Sequence, residues 1–76
     1  MNGHAQLYPA HTMKIILPDS TIQEIPGSPA SVLEILNRRG INPAEVIVSR
    51  NGKLVPEDAV ARGDDEIRII RIAHGG

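Results

Sequence analysis

The chain contains no cysteine, so it has to hold its shape without disulfide staples or thiolate-bound zinc. At 76 residues a chain buries only about 60% of the surface that it exposes when unfolded. That leaves room for one domain and argues against a deep enzymatic cleft. Tyr8 is the only aromatic residue, and the core must therefore be built from Ile, Val, Leu and Ala. The same absences exclude functions: there is no thiol nucleophile, and no aromatic platform on which bases could stack. Eight Lys and Arg against nine Asp and Glu give a net charge of -1, so no whole-molecule field favours nucleic acid or an anionic membrane. Apolar runs such as Val46-Ile47-Val48 fall far short of the roughly 20 residues of a spanning helix, and no signal-peptide h-region is present. A monomeric cytoplasmic protein with neither nucleic-acid nor membrane partners is expected.

Residues 1–12 carry Gly3, His4, Pro9 and His11 among small and polar residues, without a periodicity that could bury a face, and read as a flexible tail. From Met13 the pattern changes. Met13, Ile15 and Leu17 alternate with Lys14 and Ile16, the period of a strand. Pro18-Asp19-Ser20 reads as a turn, and Thr21 to Ile25 as a second strand stopped by Pro26-Gly27. Ser28-Pro29 predicts an N-cap followed by proline at the first helical position. The helix is expected to run about three turns, with Val32, Leu33 and Leu36 as its apolar stripe and Ile35 at the margin. Arg38 and Arg39 suit the negative end of its dipole, Gly40 a left-handed cap and Ile41 a return onto the helix. After Asn42-Pro43, Val46 to Arg50 meets Lys53 to Val55 across Asn51-Gly52, a strong hairpin signal. Gly63-Asp64-Asp65 is a turn and Glu66 to Ile72 a last strand. The expected class is α+β: a mixed sheet of four to five strands with one main helix across one face.

That order of elements, with the last strand running into Gly75-Gly76, resembles the ubiquitin-like β-grasp fold over Met13 to Gly76, with 13–73 as the domain and 74–76 as a flexible tail. Gly40-Ile41, Val46-Ile47-Val48 leading to Asn51-Gly52, and Arg62-Gly63-Asp64-Asp65-Glu66-Ile67 are similar to the ThiS/MoaD sulfur carriers. His74 before the glycines and the 12-residue extension depart from that family. The resemblance implies a protein that is not an enzyme and needs no cofactor of its own. The Gly76 carboxylate would be adenylated by an E1-like adenylyltransferase, which uses the ATP. A persulfide-bearing desulfurase would then supply sulfur for a C-terminal thiocarboxylate. A recipient enzyme would take the sulfur for thiamine, molybdopterin or thiolated tRNA. Gly75 would give clearance, since no Cβ crowds the partner's channel, and His74 would help to position the tail. A ubiquitin-like modifier joined to lysines through Gly76 shares the chemistry as far as the adenylate. An interaction domain with an incidental Gly-Gly ending is the reading from another class.

Alternation in the last strand sends Ile67 and Ile69 inward and Arg68, Ile70 and Ile72 outward. Val46 and Val48 point inward from their strand, leaving Ile47 and Ser49 outside. Ile47, Arg68, Ile70 and Ile72 are the expected docking surface for partners. Ubiquitin meets its partners with the corresponding face and has arginine where this chain has Ile72, which implies a different activating enzyme. His4, His11 and His74 have no ligand spacing and read as solvated. Asp64, Asp65 and Glu66 read as a solvated turn. Ser20, Ser28, Ser31 and Ser49 lack the G-x-S-x-G context of a nucleophile.

Overall fold

A computed structural model describes residues 11–73 of the chain; residues 1–10 of the expected N-terminal tail at 1–12, and the expected tail at 74–76, lie outside it. Thr12–Ile16 (β1) and Ile22–Pro26 (β2) form the first hairpin. Ala30–Ser31 (β3) leads into the helix Val32–Arg38 (α1). A 3-10 turn at Pro43–Glu45 precedes Val46–Arg50 (β4) and Lys53–Val55 (β5). Val60–Ala61 (β6) and Glu66–Arg71 (β7) are the last two elements among the described residues. The main sheet has the order β2-β1-β7-β4-β5, with β1 and β7 parallel and the other neighbours antiparallel, and β3 pairs with β6 in a separate two-stranded ribbon. This is the mixed sheet with a single α-helix of a ubiquitin-like β-grasp, as expected. Among the described residues no helix is long and apolar enough to cross a membrane.

One layer of aliphatic side chains lies between sheet and helix. Met13, Ile15, Ile67 and Ile69 from the central strands, Val46 and Val48 from β4, and Val32, Ile35 and Leu36 from α1 are all buried. The helix departs from the sequence reading in three ways. It is capped by Ser31, not Ser28, whose hydroxyl accepts the Glu34 N–H at 3.0 Å while the Glu34 carboxylate accepts the Ser31 N–H at 3.2 Å. This is a reciprocal capping box, and its Ser-x-x-Glu signature was present in the sequence. Ala30 and Ser31 are held extended by pairing with Ala61 and Val60, which delays the first helical turn past Pro29. The helix has seven residues, two turns rather than three. Ile35 sits in the core, and Leu33 turns aside as its N–H bonds the Glu57 carbonyl. We expect Ser31→Ala to cost about 1 kcal/mol in denaturant unfolding and Ser28→Ala to cost almost nothing.

The helix ends as its sequence suggests. Gly40, at φ +68°, follows Arg39, and the N–H groups of Gly40 and Ile41 bond the carbonyls of Asn37 and Leu36 in a Schellman motif. The start of the domain is the remaining correction. β1 opens at Thr12, paired with Pro26, and the His11 carbonyl accepts the Gly27 N–H at 3.1 Å, so the folded body begins ahead of Met13. Gly27 also accepts the Gly63 N–H at 2.8 Å, and a Cβ on Gly27 would stand 2.7 Å from the Gly63 carbonyl oxygen. Only glycine allows this three-way backbone junction.

Candidate functional site

The helix covers one face of the main sheet and leaves the other open. Registration across the strands shows what that face presents. Ile22, Ile16, Arg68, Ser49 and Leu54 form one row across all five strands, since Ile22 pairs Ile16, Ile16 pairs Arg68, Arg68 pairs Ser49 and Ser49 pairs Leu54. Ile47 and Ile70 pair in the next row toward the C-terminal end of β7, and alternation puts Ile72 beyond them. Ile47, Ile70 and Ile72 are 41%, 37% and 38% exposed. The central strand β7 thus carries an aliphatic file toward residues 74–76. Ile72 extends the pairing by donating its N–H to the Glu45 carbonyl at 2.9 Å.

The expected facing of Ile47, Arg68, Ile70 and Ile72 is the facing observed, and the fold brings these four together. Ser49 faces outward as expected but is only 7% exposed, because it is a short side chain between the longer Leu54 and Arg68 in register. Ile16, Ile22 and Leu54 belong to the same face and were missed. Alternation within each strand marks them correctly; which strands become neighbours is what alternation leaves open. Arg68 stands between Ile16 and Ser49 and makes no ion pair among the described residues. His74, Gly75 and Gly76, the tail residues singled out in the sequence, lie outside the described residues.

The turn before β7 fixes the strand from which this face is built. Asn51, at φ +52°, and Gly52, at φ +88°, make the tight β4–β5 turn. The Asn51 side chain donates to Asp65 at 2.9 Å and accepts the Glu66 N–H at 2.8 Å. Asp65 also accepts the Arg62 N–H at 2.9 Å. Desolvation pushes the Asp65 carboxyl up, but the Arg62 N–H, the Asn51 amide and the charges of Arg50 and Arg62 outweigh it and hold its pKa below the ordinary 3.8. Asp65 is therefore a tie between two turns, not merely a solvated acid. A carboxylate whose pKa is depressed on folding stabilises the fold above its unfolded value and loses that contribution as pH falls through the lower folded value. We expect Asp65→Asn, which turns an NH₂ toward one of the two donors, to cost up to about 1 kcal/mol at pH 7 at this half-buried site. The wild type and the variant should converge in denaturant midpoint as pH drops below the unfolded value near 3.8.

Asp64 accepts a hydrogen bond from His11 Nδ1 at 2.9 Å, both side chains being exposed. His11 is thus fastened to the body, which corrects its placement in a tail. Among the described residues no three His, Asp or Glu side chains converge as a metal site.

Residues 11–73 match the model of the family described as small archaeal modifier protein 2. The chain belongs to that family. It is a ubiquitin-like β-grasp family, close to the ThiS/MoaD carriers that the sequence resembles. An uncharacterized protein of Archaeoglobus fulgidus is 44% identical over 43 residues, which are 57% of this chain and 63% of that protein. The chain thus spans less than two thirds of that relative's length.

Proposed function

We propose that this chain is a ubiquitin-like modifier, not itself an enzyme, that works through the Gly76 carboxylate after activation by an E1-like adenylyltransferase. A carboxylate is a poor electrophile. In the activation step a Gly76 oxygen attacks the α-phosphorus of ATP and pyrophosphate leaves, which gives an acyl-adenylate. The ε-amine of a lysine on a target protein then attacks the acyl carbon, AMP leaves and an isopeptide bond forms. The observation that carries this reading is the match of residues 11–73 to a family described as modifier proteins, in a chain whose central strand leads directly toward Gly75-Gly76. Ile47, Arg68, Ile70 and Ile72 would dock on the adenylyltransferase, and the absent Cβ of Gly75 would let the tail enter its channel. His74 would help to align the tail there.

The resemblance to sulfur carriers supports a second reading through the same adenylate. The outer sulfur of a persulfide donor would attack the acyl carbon and expel AMP, and a second thiol would then cleave the resulting acyl disulfide, forming a disulfide with the donor's sulfur and releasing a thiocarboxylate for a recipient enzyme, with no cysteine needed in this chain. Intact mass spectrometry of the protein from its native cell, with immunoblotting for conjugates, tests both readings. A ladder of high-mass conjugates joined at Gly76 supports the modifier, and a mass shift for oxygen replaced by sulfur supports the carrier. If neither appears and the mass shows residues beyond Gly76, the tail chemistry proposed here fails.

A further inference from the structure

Asn51-Gly52 is set apart by its covalent chemistry as well as by its turn. An asparagine followed by glycine readily loses its side-chain amide, because glycine has no Cβ to keep its backbone nitrogen from the neighbouring side chain. Asn51 and Gly52 are both exposed. The fold nevertheless holds Asn51 at three points. Its N–H donates to the Glu66 carbonyl at 2.8 Å. Its side-chain oxygen accepts the Glu66 N–H at 2.8 Å, and its side-chain NH₂ donates to Asp65 at 2.9 Å. Both ends of the planar amide are thus bound to the start of β7, and Cγ is kept from swinging onto the Gly52 nitrogen while these bonds last. Two of the three bonds go to the Glu66 backbone; the Asp65 carboxylate is the one side chain among the partners.

The same contacts make the reaction one-way. In the opened turn the Gly52 backbone nitrogen gives up its proton and attacks Asn51 Cγ, the bond from Cγ to the amide nitrogen breaks, and ammonia leaves with a proton. Water then opens the cyclic imide at either carbonyl, giving aspartate or an isoaspartate whose backbone runs through Cγ. Neither product restores the tie. Aspartate sets a carboxylate where the NH₂ had donated, opposite Asp65, which keeps its charge at neutral pH because its pKa lies below the ordinary 3.8. Two carboxylates at hydrogen-bond distance cannot both stay charged without cost. Isoaspartate adds a backbone atom to a two-residue turn whose geometry sets the β4–β5 register.

The geometry points to Asn51 as a site of spontaneous deamidation that Asp65 guards: local opening of the tie exposes Asn51 to attack by Gly52, and conversion to aspartate or isoaspartate then keeps the turn apart from β7. The modification needs water and no enzyme, and it does not depend on the chemistry of Gly76. Its structural effect falls on the β4–β5 hairpin, which carries Ile47, Ser49 and Leu54 of the open face.

The test is a timed incubation of the full chain at neutral pH. Peptide mapping by mass spectrometry separates Asn51 from the other Asn-Gly pair, Asn2-Gly3, and reads the gain in mass as an amide becomes an acid. Asn51 is expected to convert at least about a hundredfold more slowly in the native chain than in concentrated urea. Asp65→Ala should speed native conversion roughly tenfold, the scale of one lost hydrogen bond to a charged group. Urea below the unfolding transition, enough to raise the globally unfolded fraction about tenfold, should change the wild-type rate less than about twofold, since the tie opens without the core. Asn51→Asp, the product made directly, should lower the denaturant midpoint at neutral pH. The double variant Asn51→Asp/Asp65→Asn should regain most of that loss, because the swap again sets an NH₂ opposite a carboxylate. Native conversion as fast as in concentrated urea, no acceleration in Asp65→Ala, a rate that follows global unfolding, an Asn51→Asp chain as stable as the wild type, or a double variant that regains nothing would each overturn the assignment.

Discussion

Adding one uncleavable residue after Gly76, or deleting Gly76, is expected to reduce conjugation and sulfur transfer to background while leaving the fold unchanged. The effect is the largest expected because, under the proposed chemistry, it removes or displaces the carbon on which the adenylate would form. The body of the domain, residues 11–73, should be indifferent, since its core is closed by β1, β4, β7 and α1. ATP–pyrophosphate exchange with the adenylyltransferase measures the activation step, and circular dichroism checks the fold. Gly75→Val should keep the carboxylate but crowd the channel, slowing adenylation by on the order of a hundredfold, the scale set by small misplacements of reacting groups. Full activity in the extended variant would show that Gly76 is not the reactive end.

The second large effect separates two neighbours in β7. Ile69 is 1% exposed and paired with Val48 inside the core, whereas Ile70 is 37% exposed and paired with Ile47 on the open face. Ile69→Ala is expected to cost roughly 2 to 5 kcal/mol, because transfer free energy is lost and a cavity is left under the helix. A domain this small has only about 4 to 11 kcal/mol in total, so its melting temperature should fall by roughly 10 °C or more. Ile70→Glu should change stability by less than about 1 kcal/mol and instead weaken docking to the adenylyltransferase. Calorimetry and binding measurements on the pair decide the matter. An unfolded Ile70→Glu beside a native-like Ile69→Ala would mean that the open face has been assigned to the wrong side of the sheet.

The elements that were legible in the sequence are those whose signals are local. Asn51-Gly52 fixed a hairpin because a two-residue turn with positive φ at both positions admits few other residues. Gly40-Ile41 marked the helix end for the same reason, since the Schellman bonds reach only a few residues back. Alternation in β4 and β7 sorted Val46, Val48, Ile67 and Ile69 from Ile47, Ile70 and Ile72, because a strand's period is a property of its own backbone. Where neighbours in space entered, the local signals failed. Ser28-Pro29 looked like a helix start, but the pairing of Ala30–Ser31 with Val60–Ala61 moved the start to Ser31. His11 read as part of a tail until its carbonyl met Gly27 and its ring met Asp64, 53 positions away.

By itself, then, the sequence determined an aliphatic β-grasp core without cysteine, the direction in which each strand faces, and a last strand leading to two glycines. All of these follow from side-chain size, backbone freedom and period along one segment. Only the tertiary structure decided that Ile16, Ile22, Arg68, Ser49 and Leu54 form one row, that Ser49 is covered, and that Asp65 ties two turns together. Each of these depends on strand order and register, which are set by how the whole apolar surface closes on itself rather than by any single stretch of chain.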